Sequence, residues 1–476
     1  MNKSILDLDA TTLAVKIRAG EITSTEATET YIAHLEAINP VLNVLVEDRF
    51  ALAREEAKAC DERIAKGEAV SGRLFGVPVS VKECMDLAGM KTTGGLPHRR
   101  DHVVTADADV VARMRAEGAI VLGKTNTPAL CFYQETVNKL YGRTNNPWDV
   151  TRTAGGSSGG EGALIAAGGA ALGIGSDIGG SVRFPAHFNG VIGFKSGNGQ
   201  VSLQGQFPAI EEPLQQRMFG LGAMAKSVED AELLHEIVAL EAPTRQDLSR
   251  FSIILPPKHP KFPLGEATGN LLEQVEAFLR ERFPIRHDNP PQYEKMAEIW
   301  QLAMSIDGAA NVAEVAFGGR SQGPVGALMR EVLTGKTDSQ AHLSWALIGA
   351  RMFKPSAQKV AAMRAQMQEL DTACDAYLDQ AILILPTYHV PAPKHGDLYR
   401  EIFSIQKTYT RYMPYIAVAN TLGLPTLTLP VGEADGLPIG LQLIARVGQE
   451  QALFELGRLL EQQFRGYVRC TLHDHS

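Results

Sequence analysis

The feature that most constrains this chain is a stretch of small residues between Ala154 and Gly180, AGGSSGGEGALIAAGGAALGIGSDIGG. Its middle, residues 163–171, predicts a helix with almost no side-chain bulk, and glycine-rich loops flank that helix on both sides. Glycine and alanine allow backbones to approach each other closely, and glycine also adopts left-handed conformations that other residues avoid. We therefore expect this segment to pack against neighbouring backbone inside the protein.

The order of strands and helices around this segment indicates an α/β fold. Valines at alternating positions from Gly76 onward predict a strand that carries Lys82 at its C-terminal end. A helix predicted from near Asp107 stops at Gly118 and leads into an apolar strand at 119–122. Strand, helix and strand in this order imply a crossover connection within a parallel or mixed sheet. Further strands are predicted at 191–195, 381–385, 426–431 and 439–445, and helices at 24–38 and 453–464.

The chain is long enough for a large domain with an ample core. Its 476 residues are 45% hydrophobic and 21% charged, which is typical of a globular protein. We predict one α/β/α domain over residues 1–476 with a central mixed β-sheet. Within it, the recognisable motifs occupy about 60–240 and 380–465, and a variable helical insert occupies about 240–380.

Charge, cysteine content and hydropathy exclude several classes of protein. The net charge of −8 is modest and the basic residues are scattered, so we expect neither nucleic acid nor membrane as a partner. The five cysteines are far apart and form no C-x-x-C pair, which argues against a disulfide framework and a zinc site. Without an apolar leader or a long apolar run, the sequence predicts a cytoplasmic protein with a small-molecule substrate.

Two common motifs match the sequence in the wrong context. Residues 118–125 satisfy the G-x-x-x-x-G-K-[ST] pattern of a phosphate-binding loop, but their apolar middle predicts a strand and Pro128 follows closely. Residues 155–159 satisfy the G-x-S-x-G pattern of a nucleophile elbow, yet a polar loop precedes them where that elbow needs a hydrophobic strand. We reject both. The histidines that could complete a Ser-His triad lack supporting context: His235, His389 and His395.

Several ordered segments together carry a more specific signal. They are Gly-Val-Pro-Val-Ser-Val-Lys82, the loop Gly-Gly-Ser157-Ser158-Gly-Gly, the turn Gly-Ser-Asp-Ile-Gly-Gly-Ser181-Val-Arg-Phe-Pro, and Asn-Thr-Leu-Gly-Leu-Pro425. This set resembles the amidase-signature family of serine amidases, which use a Ser-cisSer-Lys triad. Within that family the motifs are most similar to bacterial amidases related to fatty-acid amide hydrolase. The resemblance implies the amidase-signature fold.

Carried over by position, the resemblance implies that Ser181 is the nucleophile, Ser157 a bridging serine on a cis peptide, and Lys82 the base. The chemistry is coherent, because a serine hydroxyl is a weak nucleophile until a neighbouring group takes its proton. Lys82 has to be uncharged to act as a base, and burial can lower the pKa of a lysine by about 3–5 units. Ser157 would pass protons between Ser181, Lys82 and the leaving nitrogen.

The glycine-rich turn before Ser181 can direct successive backbone amides at one point. Such an oxyanion hole would stabilise the tetrahedral intermediate, and each donor contributes about 2.7–4 kcal/mol to the rate. We interpret Asp177 and Arg183 as an ion pair that supports the turn, together with Ser158. The expected donors are the backbone amides of Ile178, Gly179, Gly180 and Ser181.

The predicted reaction is hydrolysis of a carboxylic amide, with a hydrophobic acyl or aryl group, through an acyl-enzyme and with no metal or cofactor. Two alternatives stay open: a glutaminase that serves as the A subunit of a glutamine-dependent tRNA amidotransferase, and a non-catalytic binding protein on the same scaffold. Whether two copies associate as a homodimer is also open. Candidate pocket walls are Phe132, Tyr133, Phe207 and Tyr388.

Overall fold

The centre of the protein is an eleven-stranded β-sheet. The structure is a computed structural model that describes residues 3–318, 323–335, 337–338, 340–402 and 409–474. Its strands are β1 Leu45–Asp48, β2 Pro78–Lys82, β3 Ile120–Thr125, β4 Val137–Asn138, β5 Gly142–Arg143, β6 Leu172–Asp177, β7 Ile192–Lys195, β8 Gly220–Ala225, β9 Ser252–Ile254, β10 Ile285–Arg286, β11 Ala381–Pro386, β12 Thr426–Ala434 and β13 Leu437–Ile444. The sheet order is β1-β3-β2-β6-β8-β7-β12-β13-β11-β9-β10, and β4 and β5 form a separate hairpin.

The sheet is mixed. Strand β2 pairs in parallel with both β3 and β6, whereas β6 pairs antiparallel with β8. The two parallel neighbours follow from crossover helices, because parallel strands cannot be joined by a tight turn. The predicted α/β class with a central mixed sheet is confirmed. The same pairing brings the C-terminal ends of β2 and β6 side by side.

Helices surround this sheet. They are α1 Ala10–Arg18, α2 Ser24–Leu42, α3 Phe50–Ala65, α4 Asp109–Ala116, α5 Gly159–Ala167, α6 Arg183–Asn189, α7 Pro213–Met218, α8 Val228–Val238, α9 Glu266–Arg280, α10 Met296–Met304, α11 Ala310–Phe317, α12 Pro324–Thr334, α13 Ala341–Met352, α14 Ala357–Tyr377, α15 Asp397–Ile402, α16 Tyr409–Thr421 and α17 Glu450–Gln463. Of the helices in the described ranges, none has the length and apolar character needed to cross a membrane.

Alternate side chains of one strand show that both faces of the sheet are covered. On β11, Ile382 and Ile384 belong to one hydrophobic cluster, whereas Leu383 and Leu385 belong to another. Successive side chains of a strand point to opposite faces, so a strand that is apolar at every position requires packing on both sides. The result is a three-layer α/β/α arrangement around this strand.

The small-residue helix begins and ends earlier than the sequence pattern suggests. We expected it over 163–171, but α5 runs from Gly159 to Ala167. Gly168 adopts a left-handed conformation with φ of 83° and ends the helix. The remaining residues of the predicted helix therefore lead directly into β6.

The stretch 240–380 is mostly helical, but it also extends the sheet. Helices α9–α14 lie within it, and so do β9 and β10. Strand β9 pairs in parallel with β11 and thereby attaches this stretch to the central sheet. The proposed boundaries of the insert stay a prediction.

A substitution at Gly222 tests how closely the backbone of β8 packs between β6 and β7. A Cβ atom at this position would lie 1.8 Å from the carbonyl oxygen of Phe194. We expect Gly222→Ala to reduce the free energy of unfolding by about 1–3 kcal/mol, because the neighbouring backbone has to shift. Thermal unfolding followed by circular dichroism measures the loss. The control is Gly349→Ala in α13, where nothing lies within 4 Å of the new methyl group. Equal melting temperatures for the two variants would contradict the prediction.

Candidate active site

Lys82 ends β2 and is fully buried beneath the glycine-rich loops. Its side chain has 0% relative exposure. The side-chain nitrogen Nζ donates hydrogen bonds to the Oγ atoms of Ser157 at 2.7 Å and Ser176 at 2.9 Å. The parallel pairing of β2 with β6 explains this arrangement, because both strands deliver their last residues to the same edge. The amine of Lys82 is thus directed at one serine of the glycine-rich loop.

Ser157 is held in a tightly packed loop just before α5. The Gly156–Ser157 peptide bond is cis, and the carbonyl of Ser157 accepts a hydrogen bond from Thr127 Oγ1 at 3.1 Å. A Cβ atom at Gly156 would lie 2.6 Å from the carbonyl oxygen of Tyr133, so only glycine fits there. The loop leaves Ser157 1% exposed. Close backbone packing, rather than side-chain bulk, positions this hydroxyl.

Ser181 lies on the neighbouring loop between β6 and α6. The backbone amide of Ser158 donates to the carbonyl of Ser181 at 3.0 Å, which joins the two loops. The Oγ atom of Ser158 also accepts from the amide of Ser176 at 3.3 Å. Ser157 and Ser181 therefore sit on adjacent loops that are bonded through Ser158. Ser181 is more accessible than Ser157, with 6% exposure.

Asp177 and Arg183 form a fully buried ion pair around the loop that carries Ser181. Arg183 Nη2 lies 3.0 Å from Asp177 Oδ1 and neither side chain is exposed. The carboxylate also accepts from the backbone amides of Gly180 at 2.9 Å and Val182 at 3.1 Å. Burial alone would raise the pKa of Asp177, but the charge and hydrogen bonds of Arg183 hold that pKa well below its usual value. The carboxylate of Asp177 therefore stays charged and holds the loop through these backbone hydrogen bonds.

The backbone amides expected to form an oxyanion hole differ in their partners. The amide of Gly180 donates to Asp177, so this carboxylate already occupies it. Within the described ranges, no hydrogen bond uses the amides of Ile178, Gly179 or Ser181. These three amides are the ones that can donate to a ligand.

Glu161 is a buried acid that the sequence analysis did not use. Its carboxyl group accepts hydrogen bonds from Ser80 at 2.6 Å and from Thr125 at 2.9 Å. Burial raises the pKa of Glu161 to about 8, so the group is predominantly neutral at pH 7. A neutral carboxyl adds no negative charge to the interior next to Lys82. The only signal in the sequence was a charged residue within an otherwise small and apolar helix.

Two free thiols border the same region. Cys84 is buried and its Sγ lies 3.9 Å from the Oγ atom of Ser176, while the half-buried Cys131 has its Sγ 3.3 Å from Thr127 Oγ1. The neighbouring Cys84 thiol lowers the pKa of the Cys131 thiol to about 6, although burial acts in the opposite direction. Cys131, at the end of the turn Ala129–Cys131, therefore contacts the same threonine that donates to the carbonyl of Ser157.

The four candidate wall residues occupy different surroundings. Phe132 and Phe207 pack against an apolar cluster that includes side chains of α11, α12 and α13. Tyr133 stacks on His342 with 4.3 Å between ring centroids. Tyr388 is fully buried between Phe184 and Phe188, inside the hydrophobic core.

The histidines do not support a Ser-His mechanism. His235 packs against Phe194 and Phe454, and burial lowers its pKa to about 4. His389 stacks on Tyr412 with 3.6 Å between ring centroids. Among the described residues, no hydrogen bond joins a histidine to Ser157 or Ser181. In the same residues, no group of three or more His, Cys, Asp or Glu side chains could hold a metal ion.

Comparison with known proteins agrees with this geometry. The model of the amidase family matches residues 26–454. The chain belongs to the amidase family. The match confirms the resemblance inferred from the motifs. Together with the amide hydrolases among its relatives, it identifies the protein as a hydrolase of carboxylic amides.

Relatives and solved structures extend this amidase match over nearly the whole chain. Fatty-acid amide hydrolase 2-B of Danio rerio is 34% identical over 98% of this chain and 91% of its own length. The A subunit of glutamyl-tRNA(Gln) amidotransferase from Picosynechococcus sp. is 30% identical over 95% of this chain and 97% of its own. A crystal structure described as an amidase superimposes with a TM-score of 0.80 at 26% identity, covering 96% of this chain and all of that one.

The Asp177–Arg183 pair predicts a large loss of stability when only one partner is removed. We expect Arg183→Met to cost about 3–5 kcal/mol, because it leaves a buried carboxylate without its cation. Urea unfolding at neutral pH measures this cost. The double variant Asp177→Asn/Arg183→Met should be less destabilised than Arg183→Met alone, since it removes both charges. A double variant that is the less stable of the two would contradict the interpretation.

Glu161 predicts a pH dependence of stability. The folded protein keeps the proton of this carboxyl up to about pH 8, whereas the unfolded chain releases it near pH 4.3. Stability therefore declines as the pH rises between these values, because the folded state binds the extra proton. We expect the melting temperature of Glu161→Gln to fall less than that of the wild type from about pH 6 to about pH 9. The exposed Glu273→Gln serves as control, and identical slopes for Glu161→Gln and wild type would refute this assignment.

Proposed function

We propose that this chain hydrolyses a carboxylic amide through an acyl-enzyme on Ser181, with Ser157 as proton relay and Lys82 as base. The observation that carries this proposal is the 2.7 Å hydrogen bond from Lys82 Nζ to Ser157 Oγ, on a loop bonded directly to that of Ser181. A buried amine bonded to one serine hydroxyl, with a more accessible serine hydroxyl on the adjoining loop, supports proton transfer in two steps.

In the first step, Ser181 Oγ attacks the carbonyl carbon of the amide. The proton of Ser181 passes to Ser157 as the proton of Ser157 passes to Lys82, so the attacking oxygen gains nucleophilicity and Lys82 becomes a positively charged ammonium group. The new C–O bond converts the carbonyl oxygen into an oxyanion. In this proposal the amides of Ile178, Gly179 and Ser181, which have no acceptor among the described residues, donate to that oxyanion.

In the second step, the tetrahedral intermediate breaks its C–N bond. The leaving nitrogen takes a proton from Ser157, which takes one in turn from the protonated Lys82, so the product leaves as a neutral amine or ammonia. Water then attacks the acyl-enzyme, and the same relay accepts its proton and returns one to Ser181. This route uses only side chains and backbone amides of the chain itself.

A hydrophobic acyl or aryl group is the substrate class that the surroundings favour. The turn Ala129–Cys131 contacts both regions. Its last residue, Cys131, lies beside Thr127, and its first two residues belong to the apolar cluster against which Phe132 and Phe207 pack. An apolar surface next to the reacting groups binds hydrocarbon better than a polar side chain. The similarity to fatty-acid amide hydrolase 2-B supports the same class.

The second candidate is a glutaminase that serves as the A subunit of a tRNA amidotransferase. The similarity to the A subunit of glutamyl-tRNA(Gln) amidotransferase over nearly the whole chain supports it. The two candidates differ in substrate polarity and in the need for partner proteins. Glutamine turnover by the isolated chain, together with co-purifying partner proteins, would favour the glutaminase.

The decisive experiment is a panel of anilides, fatty amides, glutamine and matched esters, tested on wild type and on variants of the triad. We expect Ser181→Ala to reduce kcat by about 10⁴-fold or more and to abolish labelling by a fluorophosphonate probe. Lys82→Ala and Ser157→Ala should also lose most activity, because the relay then lacks one member.

The matched control is Ser24→Ala. Ser24 is a buried serine outside the site, and its hydroxyl donates to the carbonyl of Gly76 at 2.9 Å. This variant should keep wild-type kcat even if its melting temperature falls. Full amidase activity in Ser181→Ala would show that the proposed mechanism is wrong.

A further inference from the structure

Trp300 contacts the loop that carries Ser181 in two ways. This residue lies on α10, and its indole N–H donates to the carbonyl oxygen of Ile178 at 2.7 Å. The ring also lies against Gly179, where a Cβ atom would come within 2.8 Å of Trp300 Cζ2. Trp300, which belongs to the stretch 240–380, therefore both donates a hydrogen bond to the Ile178–Gly179 peptide group and packs against it.

The bond fixes the direction of the next amide. In a trans peptide, the C=O and N–H groups of the same unit point in opposite directions. The peptide between Ile178 and Gly179 is trans, since the cis bonds among the described residues are Gly156–Ser157 and Phe207–Pro208. With the carbonyl held by Trp300, the N–H of Gly179 has to point away from the indole.

The amide of Gly179 is one of the three for which the described part of the chain provides no acceptor. A donor aimed in advance at the developing negative charge stabilises the transition state without having to reorient. The next peptide group of the loop is fixed by Asp177, which accepts from the amide of Gly180. Trp300 and Asp177 thus hold consecutive peptide groups of this loop.

We propose that Trp300 is a positioning residue that orients the Gly179 amide toward the oxyanion of the reacting amide. This inference rests on the proposed function, in which Ser181 is the nucleophile. Trp300 acts through the loop, so it affects the transition state more than the bound substrate. A residue that merely filled space would alter stability or substrate binding instead.

The test compares Trp300→Phe with Trp148→Phe. Trp148 makes the same kind of bond elsewhere, from its indole N–H to the carbonyl of Asn189 at 2.8 Å. We expect Trp300→Phe to lower kcat at least about tenfold with KM within about twofold, a smaller effect than the 10²–10³-fold loss of an oxyanion donor itself. Trp148→Phe should keep both constants.

A second readout is inhibition by a trifluoromethyl ketone built on the best substrate of the panel, whose adduct with Ser181 carries a tetrahedral oxyanion. Its inhibition constant should rise in Trp300→Phe by the same factor by which kcat/KM falls. A substrate analogue without a reactive carbonyl should bind wild type and variant equally. Unchanged kcat, or a change in KM alone, would overturn the proposal.

Should Trp300→Phe fold poorly, β-(3-benzothienyl)alanine at position 300 keeps the shape of the ring and removes only the N–H donor. Loss of kcat with this residue supports positioning through the hydrogen bond, and wild-type kcat refutes it. Ser181→Ala, measured in parallel, separates the two proposals. An active Ser181→Ala would reject the proposed function, whereas an inactive Ser181→Ala beside an unaffected Trp300 variant would reject only the role of Trp300.

Discussion

The buried ion pair between Asp177 and Arg183 holds together parts of the chain that are far apart in sequence. Besides Asp177, Arg183 donates to the carbonyl of Ile416 on α16 and to the side chain of Gln442 on β13, each at 3.0 Å. Asn420 on α16 bonds the same carboxylate at 2.9 Å. A buried pair of this kind adds little net stability but requires one geometry, because any other leaves a charge without a partner. The pair therefore also fixes the conformation of the loop that carries Ser181, because Asp177 accepts hydrogen bonds from the backbone of that loop.

Close backbone packing supplies the second constraint. A Cβ atom at Gly160 would lie 2.5 Å from the backbone of Asn126, and one at Gly173 would lie 2.1 Å from Glu161. The small residues that dominate this segment therefore leave room for the backbone of Asn126 and for the side chain of Glu161. Polar groups in such a place need partners, and Ser80 and Thr125 supply them to Glu161.

Much of the fold and part of the candidate site followed from local sequence. The strand ending at Lys82 could be predicted because side-chain alternation is a local property, and the glycine-rich loops could be predicted from their composition. The start of α5 could not, because the small residues on both sides of it fit helix and loop equally well. Ser176, Glu161 and Trp300 were missed for another reason: their contacts join segments that only the folded chain brings together.

Strands β9 and β10 have a consequence for how enzymes of this shape could diversify or be re-engineered. They place the stretch 240–380 in register with β11, while α10 of the same stretch carries Trp300 to the loop of Ser181. A chimera that received this stretch from another amidase would exchange the apolar side chains of α11–α13, the edge of the sheet and the contact of Trp300 with the loop in a single step. A change of substrate range and the retention of turnover would then have to be selected together, because the same stretch of the described chain carries the residues that would affect each property.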